Sequence, residues 1–170
     1  MIIAQTQRLT IREISSTDID DLSNILSDAQ VMKYSTIGVH SPTQIVKYIE
    51  NCVHSYKKNG YGHWGIFLNK DNTLIGICGL NQHLLDNKQV THINYRLAIK
   101  HHGKGFATEA VRAVLQFSKN KLLLNPIFSL IDSSNSASIR VAEACGFVFE
   151  KKALFQNKYK KNGSIDLFMI

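Results

Sequence analysis

The central part of the chain reads Asn94-Tyr95-Arg96-Leu97-Ala98-Ile99-Lys100-His101-His102-Gly103-Lys104-Gly105-Phe106-Ala107-Thr108-Glu109-Ala110. Apolar residues alternate with other residues up to Ile99, which predicts a β-strand, and the two glycines then break that pattern. After the glycines, apolar residues recur at helical spacing as far as residue 119. The segment is therefore predicted to be a strand, a glycine-containing turn and a helix.

The turn at residues 103–105 has the composition of a phosphate-binding helix start. Backbone N–H groups at a helix N-terminus are unpaired and lie at the positive end of the helix dipole. Glycines let an anion approach these groups, and Lys104 with the neighbouring Lys100, His101 and His102 adds positive charge. A diphosphate is the natural ligand of such a turn, although the same residues are also compatible with a simple tight turn.

The same residues exclude two nucleotide-binding motifs. No glycine followed by four variable residues leads into Gly-Lys-Ser or Gly-Lys-Thr, so the turn is not a P-loop. Thr108 occupies the position of the third glycine of the dinucleotide fingerprint, and the strands before it are predicted to be antiparallel. The turn is therefore expected to belong to a fold other than these two nucleotide-binding folds.

Further predicted elements lie on both sides of this segment. Strands are expected at 7–12, 64–68, 74–80, 90–99, 127–131, 147–155 and 165–169, with helices starting near Ser16, at Ser41-Pro42, at 105 and at Asn135. Asn162-Gly163 is the expected turn of the last hairpin. Only the connection around the helix at 105–119 requires parallel strands. We expect an α/β (α+β) fold with a mixed, mostly antiparallel central sheet of about seven strands flanked by about four helices.

Length and composition place the chain among globular proteins. The 170 residues, 44% hydrophobic and 19% charged, predict one domain over 1–170 and exclude disordered and low-complexity classes. The apolar runs are too short to span a membrane, and the first residues lack the features of a secretory signal. Three cysteines without a C-x-x-C pair indicate reduced, buried thiols, no metal site and a cytoplasmic location. The net charge of +7 favours an anionic partner, but no nucleic-acid recognition motif accompanies it.

Four ordered blocks of the sequence resemble one known family. The blocks are residues 6–13, 75–80, 102–110 and 132–147, and together they extend over nearly the whole chain. They resemble the GNAT superfamily of acyl-CoA-dependent N-acetyltransferases, in particular its RimJ/RimL-like branch of ribosomal-protein-acetyltransferase-like proteins. The resemblance implies the GNAT fold, with acetyl-CoA (coenzyme A) as co-substrate and no metal.

The resemblance also implies which residues hold acetyl-CoA. The sheet would splay between the strands at 90–99 and 127–132, and the pantetheine arm would lie in the opening. The implied binding residues are the main chain of Leu97, Ala98 and Ile99, the turn residues His102, Gly103, Lys104, Gly105, Phe106, Ala107 and Thr108, and the helix residues Asn135 and Ser138. Asn135 is equally a candidate helix cap. Glu109 and Glu143 are expected to support helices, because an anion beside a diphosphate would repel it.

Direct attack of an amine on a thioester requires a deprotonated amine. An α-amine, with a pKa of about 8, loses its proton at neutral pH more easily than a lysine side chain at about 10.4. His92 stands where this branch often has a glutamate, so we assign it as the candidate base, the alternative being a surface or structural histidine. The tyrosine acid of other family members would fall at Ala142, so Ser138 is the candidate donor to the departing sulfur, or else a simple helix serine. The resemblance implies that a main-chain N–H around Leu97 to Ile99 would stabilise the oxyanion.

The acceptor pocket is expected from the loop at residues 30–40, the helix after it, the turn after Leu80 and the last hairpin, none of which has a cluster that names the amine. The first hypothesis is an N-acetyltransferase that acts on a protein N-terminal α-amine or a small amine, as a monomer or homodimer. The alternative is a catalytically weak acyl-CoA-binding regulatory or interaction module, which His92 and Ala142 make conceivable. A nucleic-acid-binding module, suggested by the net charge alone, is the least supported hypothesis.

Overall fold

A mixed β-sheet forms the centre of the computed structural model, which describes residues 1–85, 88–157 and 160–170. Side chains are described for all of these residues except 153–157 and 160–163. Within the described residues the sheet has eight strands, in the order β1-β2-β3-β4-β5-β6-β8-β7.

The described residues form eight strands and four helices. The strands are β1 (Ile2–Gln5), β2 (Leu9–Arg12), β3 (His63–Leu68), β4 (Leu74–Leu85), β5 (Lys88–Leu97), β6 (Phe128–Asp132), β7 (Val148–Asn157) and β8 (Lys160–Met169). The helices are α1 (Ile19–Leu26), α2 (Pro42–Asn59), α3 (Phe106–Asn120) and α4 (Ser136–Ala144). In chain order, α1 and α2 lie between β2 and β3, α3 between β5 and β6, and α4 between β6 and β7. Neighbouring strands are antiparallel except β5 and β6, which run parallel on either side of α3. The mixed, mostly antiparallel sheet with four helices is confirmed.

Helix α2 shows how local sequence fixes the ends of an element. The Ser41 hydroxyl accepts a hydrogen bond from the Gln44 amide, the Gln44 side chain accepts one from the Ser41 amide, and Pro42 occupies the first turn. Gly60 ends the helix with a φ of 76°, a left-handed conformation in which a side chain is strained. The predicted bounds of this helix are confirmed.

The helices cover opposite faces of the sheet. Residues of α1 and α2, such as Leu22 and Ile45, pack with Phe67 of β3. Residues of α3 and α4, such as Val114 and Ala142, pack with the adjacent Ile66. Successive residues of a strand point to opposite faces, so the two clusters lie on the two sides of the sheet. None of the described helices is both long enough and apolar enough to cross a membrane.

Two expectations about the strands are wrong, and one strand was not predicted. The prediction omitted β1, which pairs with β2; the resulting eight strands in the described residues are compatible with the expected number of about seven. Asn162-Gly163 is not a turn: both residues lie in β8, where Gly163 pairs with Phe155 and Lys160 pairs with Asn157. Strand β5 ends at Leu97, and Ile99 begins a short 3-10 turn.

The cysteines are free thiols, as the sequence predicts. Cys52 and Cys78 are buried, whereas Cys145 at the end of α4 is only partly buried. Strand β4 continues past the expected turn after Leu80 as far as Leu85, β5 begins at Lys88, and residues 86 and 87 lie outside the described residues.

Candidate active site

A cleft of about 740 Å³ lies where β5 and β6 diverge. The two strands pair at His92 and Phe128, and β6 then pairs with β8 on its other side. Ten predicted site residues line the cleft: Leu97, Ile99, His102, Gly103, Gly105, Phe106, Ala107, Thr108, Asn135 and Ser138. Ala98, Lys104 and His92 are not among the residues that line it.

The free edge of β5 forms one wall of the cleft. The Ala98 amide donates to the Ile75 carbonyl of β4 at 2.9 Å, so this amide is engaged on the far edge. Main-chain groups of a strand alternate between its two edges, so the amide and carbonyl of Leu97 point into the opening. His102 Nε2 lies 2.9 Å from the Leu97 carbonyl, which fixes Nε2 as the donor, while the Leu97 amide stays available.

The glycine turn presents unpaired amides at the other end of the cleft. Gly103 and Gly105 have φ values of 71° and 77°, and Gly105 is the N-cap of α3 without any side-chain cap. The first helical hydrogen bond runs from the Glu109 amide to the Gly105 carbonyl, at 3.1 Å. Within the described residues no acceptor is bound by the amides of residues 103–108. A row of donors at the positive end of a helix, with no side-chain cap bound to it among the described residues, fits a diphosphate.

His101 adds an unsatisfied polar atom to the same region. Its Nε2 is buried without a hydrogen-bond partner in the described part of the chain, and its ring packs edge-on against Phe106. Burial, followed by the charges of Lys100 and Lys104, lowers the pKa of His101. A buried polar atom without a partner costs free energy, which a ligand group that hydrogen-bonds to it would recover.

Arg8 holds the glycine turn against the start of α3. Its guanidinium contacts the Glu109 carboxylate at 2.6 Å, donates to the Lys104 carbonyl at 2.9 Å and lies 4.5 Å from the centre of the Phe106 ring. Burial opposes ionisation of Glu109, but hydrogen bonds from Thr6 and Arg8 outweigh it and lower the pKa of this carboxyl. Glu109 therefore supports the helix, as expected, and the Lys104 side chain bends back to the Lys100 carbonyl.

Helix α4 forms the opposite wall. The Asn135 side chain accepts a hydrogen bond from the Ser138 amide at 3.1 Å, so its role as a helix cap is confirmed. Ser138 lines the cleft, and its carbonyl accepts a hydrogen bond from the Tyr95 hydroxyl at 2.7 Å. Burial is the main cause that raises the pKa of Tyr95, so this hydroxyl is a neutral donor that ties β5 to α4.

A polar cluster lies on the face of β5 opposite α3, below the loop between α1 and α2. His63 Nδ1 is 2.7 Å from the Tyr48 hydroxyl, and its Nε2 is 2.9 Å from the Asn81 amide and 3.4 Å from the Asn94 amide. With both amides donating to Nε2, the ring proton is on Nδ1 and is donated to Tyr48. We call Tyr48, His63, Asn81 and Asn94 the His63 cluster. Burial, then the charge of Arg96, lowers the pKa of His63 to about 3.

Residues 8–148 match the family model of the acetyltransferase (GNAT) domain. The chain belongs to the GNAT acetyltransferase family. The strand, glycine turn and helix from which the resemblance was drawn lie inside the matched range.

Individual relatives agree with this assignment. The uncharacterized N-acetyltransferase p20 of Bacillus licheniformis is 30% identical over 166 residues, which cover 96% of this chain and 92% of p20. Among solved structures, a GNAT-family acetyltransferase from Bacillus anthracis superposes with a TM-score of 0.85 at 23% identity, covering 100% of this chain and 98% of the other. RimL, a ribosomal L7/L12 α-N-protein acetyltransferase solved with coenzyme A, gives a TM-score of 0.84 at 16% identity and covers 100% and 97%. The family assignment and the GNAT fold are confirmed.

His92 occupies an unusual position for a candidate base in this GNAT protein. Its ring packs edge-on against His83 at 5.6 Å between centroids, and its Nδ1 is 3.5 Å from the Asn94 side-chain nitrogen. Burial, then the charge of His83, lowers the pKa of His92 to about 4. His92 is therefore a neutral ring at neutral pH, and its proton affinity is below that suited to a base acting near pH 7.

The sequence interpretation missed three residues of the site. Arg8 stands in the first block of the resemblance but was given no role, and His101 was counted only as positive charge. Arg96 was treated as part of a strand motif. The sequence did contain a signal for Arg96: side chains alternate between the two faces of β5, which places Arg96 and Asn94 on the face opposite Tyr95 and Leu97. The loop between α1 and α2 does line the cleft, through residues 30, 31 and 33–35, whereas the last hairpin lies partly outside the described residues.

Proposed function

We propose that this acetyltransferase moves the acetyl group of acetyl-CoA to a primary amine, in a complex that holds both substrates. The single observation that carries the proposal is the uncapped start of α3, with its free amides and two left-handed glycines, at one end of the opening in the sheet. The diphosphate would bind the amides of residues 103–108, and the pantetheine arm would lie in the opening beside β5, which leaves the Leu97 amide for the thioester carbonyl. The relation to RimL, which was solved with coenzyme A, supports this use of the same fold.

The residues of the cleft suit direct transfer without a covalent enzyme intermediate. The amine nitrogen bonds to the acetyl carbon, the carbon–sulfur bond breaks, and the amine proton ends on the sulfur or on water. We propose that Ser138, at the wall of α4, donates a hydrogen bond to the departing sulfur, and that the Leu97 amide stabilises the oxyanion. His92 stays the candidate base, although its low pKa gives it little proton affinity at neutral pH. An acceptor α-amine with a pKa of about 8 needs less help than a lysine side chain.

A binding module without turnover is the second candidate function. Ala142, which is buried, stands at the position of the tyrosine acid found in other family members and cannot act as an acid. This alanine and the low pKa of His92 favour the second function. Release of free thiol from acetyl-CoA in the presence of a panel of amines separates the two functions, because a binding module releases none. Action as a monomer or homodimer in the cytoplasm is part of the proposal.

Substitution of Gly105 tests the diphosphate site. Asn and Asp tolerate the left-handed conformation better than other side chains, so Gly105→Asn and Gly105→Asp impose similar backbone strain and differ in charge. We expect the asparagine variant to weaken acetyl-CoA binding by about tenfold and the aspartate variant by a further tenfold or so, because a Cβ at residue 105 lies 3.5 Å from the Arg8 guanidinium, so a carboxylate there would both draw Arg8 from its contacts with the turn and repel the nearby diphosphate. Isothermal titration calorimetry with acetyl-CoA measures both. Equal affinity of the wild type and the aspartate variant would remove the diphosphate from this turn.

A further inference from the structure

Arg96 is a mostly buried cation without an anionic partner. Its only hydrogen bond within the described residues goes from Nη1 to the sulfur of Met32, at 3.1 Å, and a thioether is a weak acceptor. None of the ion pairs formed between described residues includes Arg96. A guanidinium has five N–H donors, so most of its hydrogen-bonding capacity is unused here.

The groups around Arg96 are neutral at neutral pH. Burial raises the pKa of the Tyr48 hydroxyl, and burial lowers the pKa of His63 to about 3 and that of His40 below its usual value. The charge of Arg96 lowers the pKa of both histidines further, which places all three side chains close to it. Arg96 is thus the one charged group of this cluster of described residues, and nothing in the cluster compensates for its loss of hydration.

Arg96 also lines the cleft, together with Asn94 and the loop between α1 and α2. It lies on the face of β5 opposite α3, so the sheet separates it from the glycine turn that fits the diphosphate. Leu97, the next residue, directs its amide into the opening where the thioester is proposed to lie. A ligand of Arg96 would therefore sit on the acceptor side of the reacting centre.

We propose that Arg96 binds an anionic group of the acceptor, so that the substrate is a small amine carrying a carboxylate, of the amino-acid type. This inference rests on the proposed acetyl transfer and names its substrate class. The planar guanidinium matches a carboxylate with two parallel hydrogen bonds. Arg96 and Leu97 are adjacent residues with Cα atoms about 3.8 Å apart, so the distance between the guanidinium and the Leu97 amide is set by the length of one arginine side chain. One compact molecule can therefore present the carboxylate to Arg96 and the reacting amine to the thioester. Polyamines carry only positive charge, so the charge of Arg96 would repel them and exclude them as acceptors.

Matched acceptor pairs test the proposal. Glycine and β-alanine are compared with glycinamide and β-alaninamide at saturating acetyl-CoA, with free thiol as the readout. The amides have the less basic amines and are more reactive at neutral pH, so a preference for the acids cannot come from the amine. We expect kcat/KM to favour the acids by about tenfold or more, mainly through KM. Aminomethylphosphonate and taurine separate a carboxylate site from a general anion site, and an equal or greater rate with either overturns the carboxylate assignment.

Arg96→Met removes the charge with little loss of volume, and Lys58→Met, at an exposed position of α2 outside the residues that line the cleft, is its matched control. We expect the acid-to-amide ratio to fall to about one in Arg96→Met and to persist in Lys58→Met, because an exposed charge is screened. The melting temperature of Arg96→Met should equal or exceed that of the wild type, since an unpaired buried charge is removed. A ratio that Arg96→Met retains, or a wild-type ratio of one or less, overturns the inference.

Direct measurement of acceptor binding distinguishes a failure of the proposed acetyl transfer from a failure of the proposed anion site. In the protein–coenzyme A complex, β-alanine should raise the melting temperature of the wild type but not of Arg96→Met, and β-alaninamide should raise neither. This pattern without thiol release supports the anion site and contradicts the proposed transfer. Thiol release with neutral amines alone, and no shift with β-alanine, supports transfer and overturns the anion site. If Arg96→Met does not fold, Arg96→Lys replaces it, and an unchanged acid preference in that variant overturns the two-bond recognition.

Discussion

The buried ring of His92 determines where its protonation would appear in a pH profile. A base with a pKa of about 4 places the acidic limb of kcat/KM near pH 4, whereas an α-amine acceptor places a limb near pH 8. We expect His92→Gln to leave the profile between about pH 6 and 9 with the same limb as the wild type. Initial rates of thiol release over this range measure it. A wild-type limb between about pH 5 and 7 that is absent in His92→Gln would instead identify His92 as the base.

Single residues differ in how far the sequence predicts their roles. Gly103 and Gly105 were assigned correctly to a turn, because that preference is a property of the residue and its immediate neighbours, and both adopt positive φ values. The burial of Arg96 depends on Met32 and on a loop about sixty residues away in sequence, which no local pattern contains. The pKa of His92 depends in the same way on His83 from another strand.

The contact between Arg8 and Glu109 joins the segment before β2 to the first turn of α3. Removing the guanidinium with Arg8→Met frees the Lys104 carbonyl and the Phe106 ring, so the glycine turn should lose its fixed conformation. We expect the dissociation constant for acetyl-CoA to rise by about tenfold, while unfolding free energy changes by about 1 kcal/mol or less, because the ion pair is partly exposed. Calorimetric titration and thermal unfolding measure the two effects.

Arg112→Met, in α3, is the control for the Arg8→Met prediction. Arg112 donates to the Ala144 carbonyl at 2.7 Å, at the end of α4, and none of its hydrogen bonds between described residues goes to the glycine turn. Its variant should bind acetyl-CoA with wild-type affinity. If the Arg8 and Arg112 variants lose affinity equally, the effect of Arg8 is a general one on α3 and not a specific one on the turn.

Elements with strong local signals were predicted well, and those defined by pairing were not. Helix α2 has a capping box, a proline and a terminal glycine, and all of its determinants lie within its own sequence. Strand β1 has only four residues and exists because it pairs with β2. Asn162-Gly163 has a strong turn signal, yet the register set by the pairing of β8 with β6 and β7 carries the strand through it.

At the scale of the whole molecule, two buried neutral histidines make the stability sensitive to acid. The pKa of His63 is about 3 and that of His92 about 4, in both cases chiefly because of burial, against about 6.5 in the unfolded chain. The unfolded state therefore binds more protons below about pH 6.5, so stability is complete above that pH and falls as the pH is lowered toward 4. Each histidine contributes a slope of about 1.4 kcal/mol per pH unit in this window.

Replacing His63 with glutamine should separate this effect from acid denaturation in general. His63→Gln loses hydrogen bonds with the His63 cluster and should be less stable at pH 7, but its unfolding free energy should fall less steeply between about pH 6.5 and 4.5, by about 1.4 kcal/mol per unit. Carboxylates such as Asp18, whose pKa lies below its usual value because hydrogen bonds from Arg12 and Ser15 outweigh burial, lose their contribution at lower pH. Urea unfolding at several pH values measures the slopes, with His54→Gln, at an exposed position, as the matched control for the loss of one imidazole. Because the slope counts protons and not contacts, equal slopes in the wild type and His63→Gln would mean that His63 is protonated in the folded protein, and the cluster around Arg96 would then hold a second positive charge.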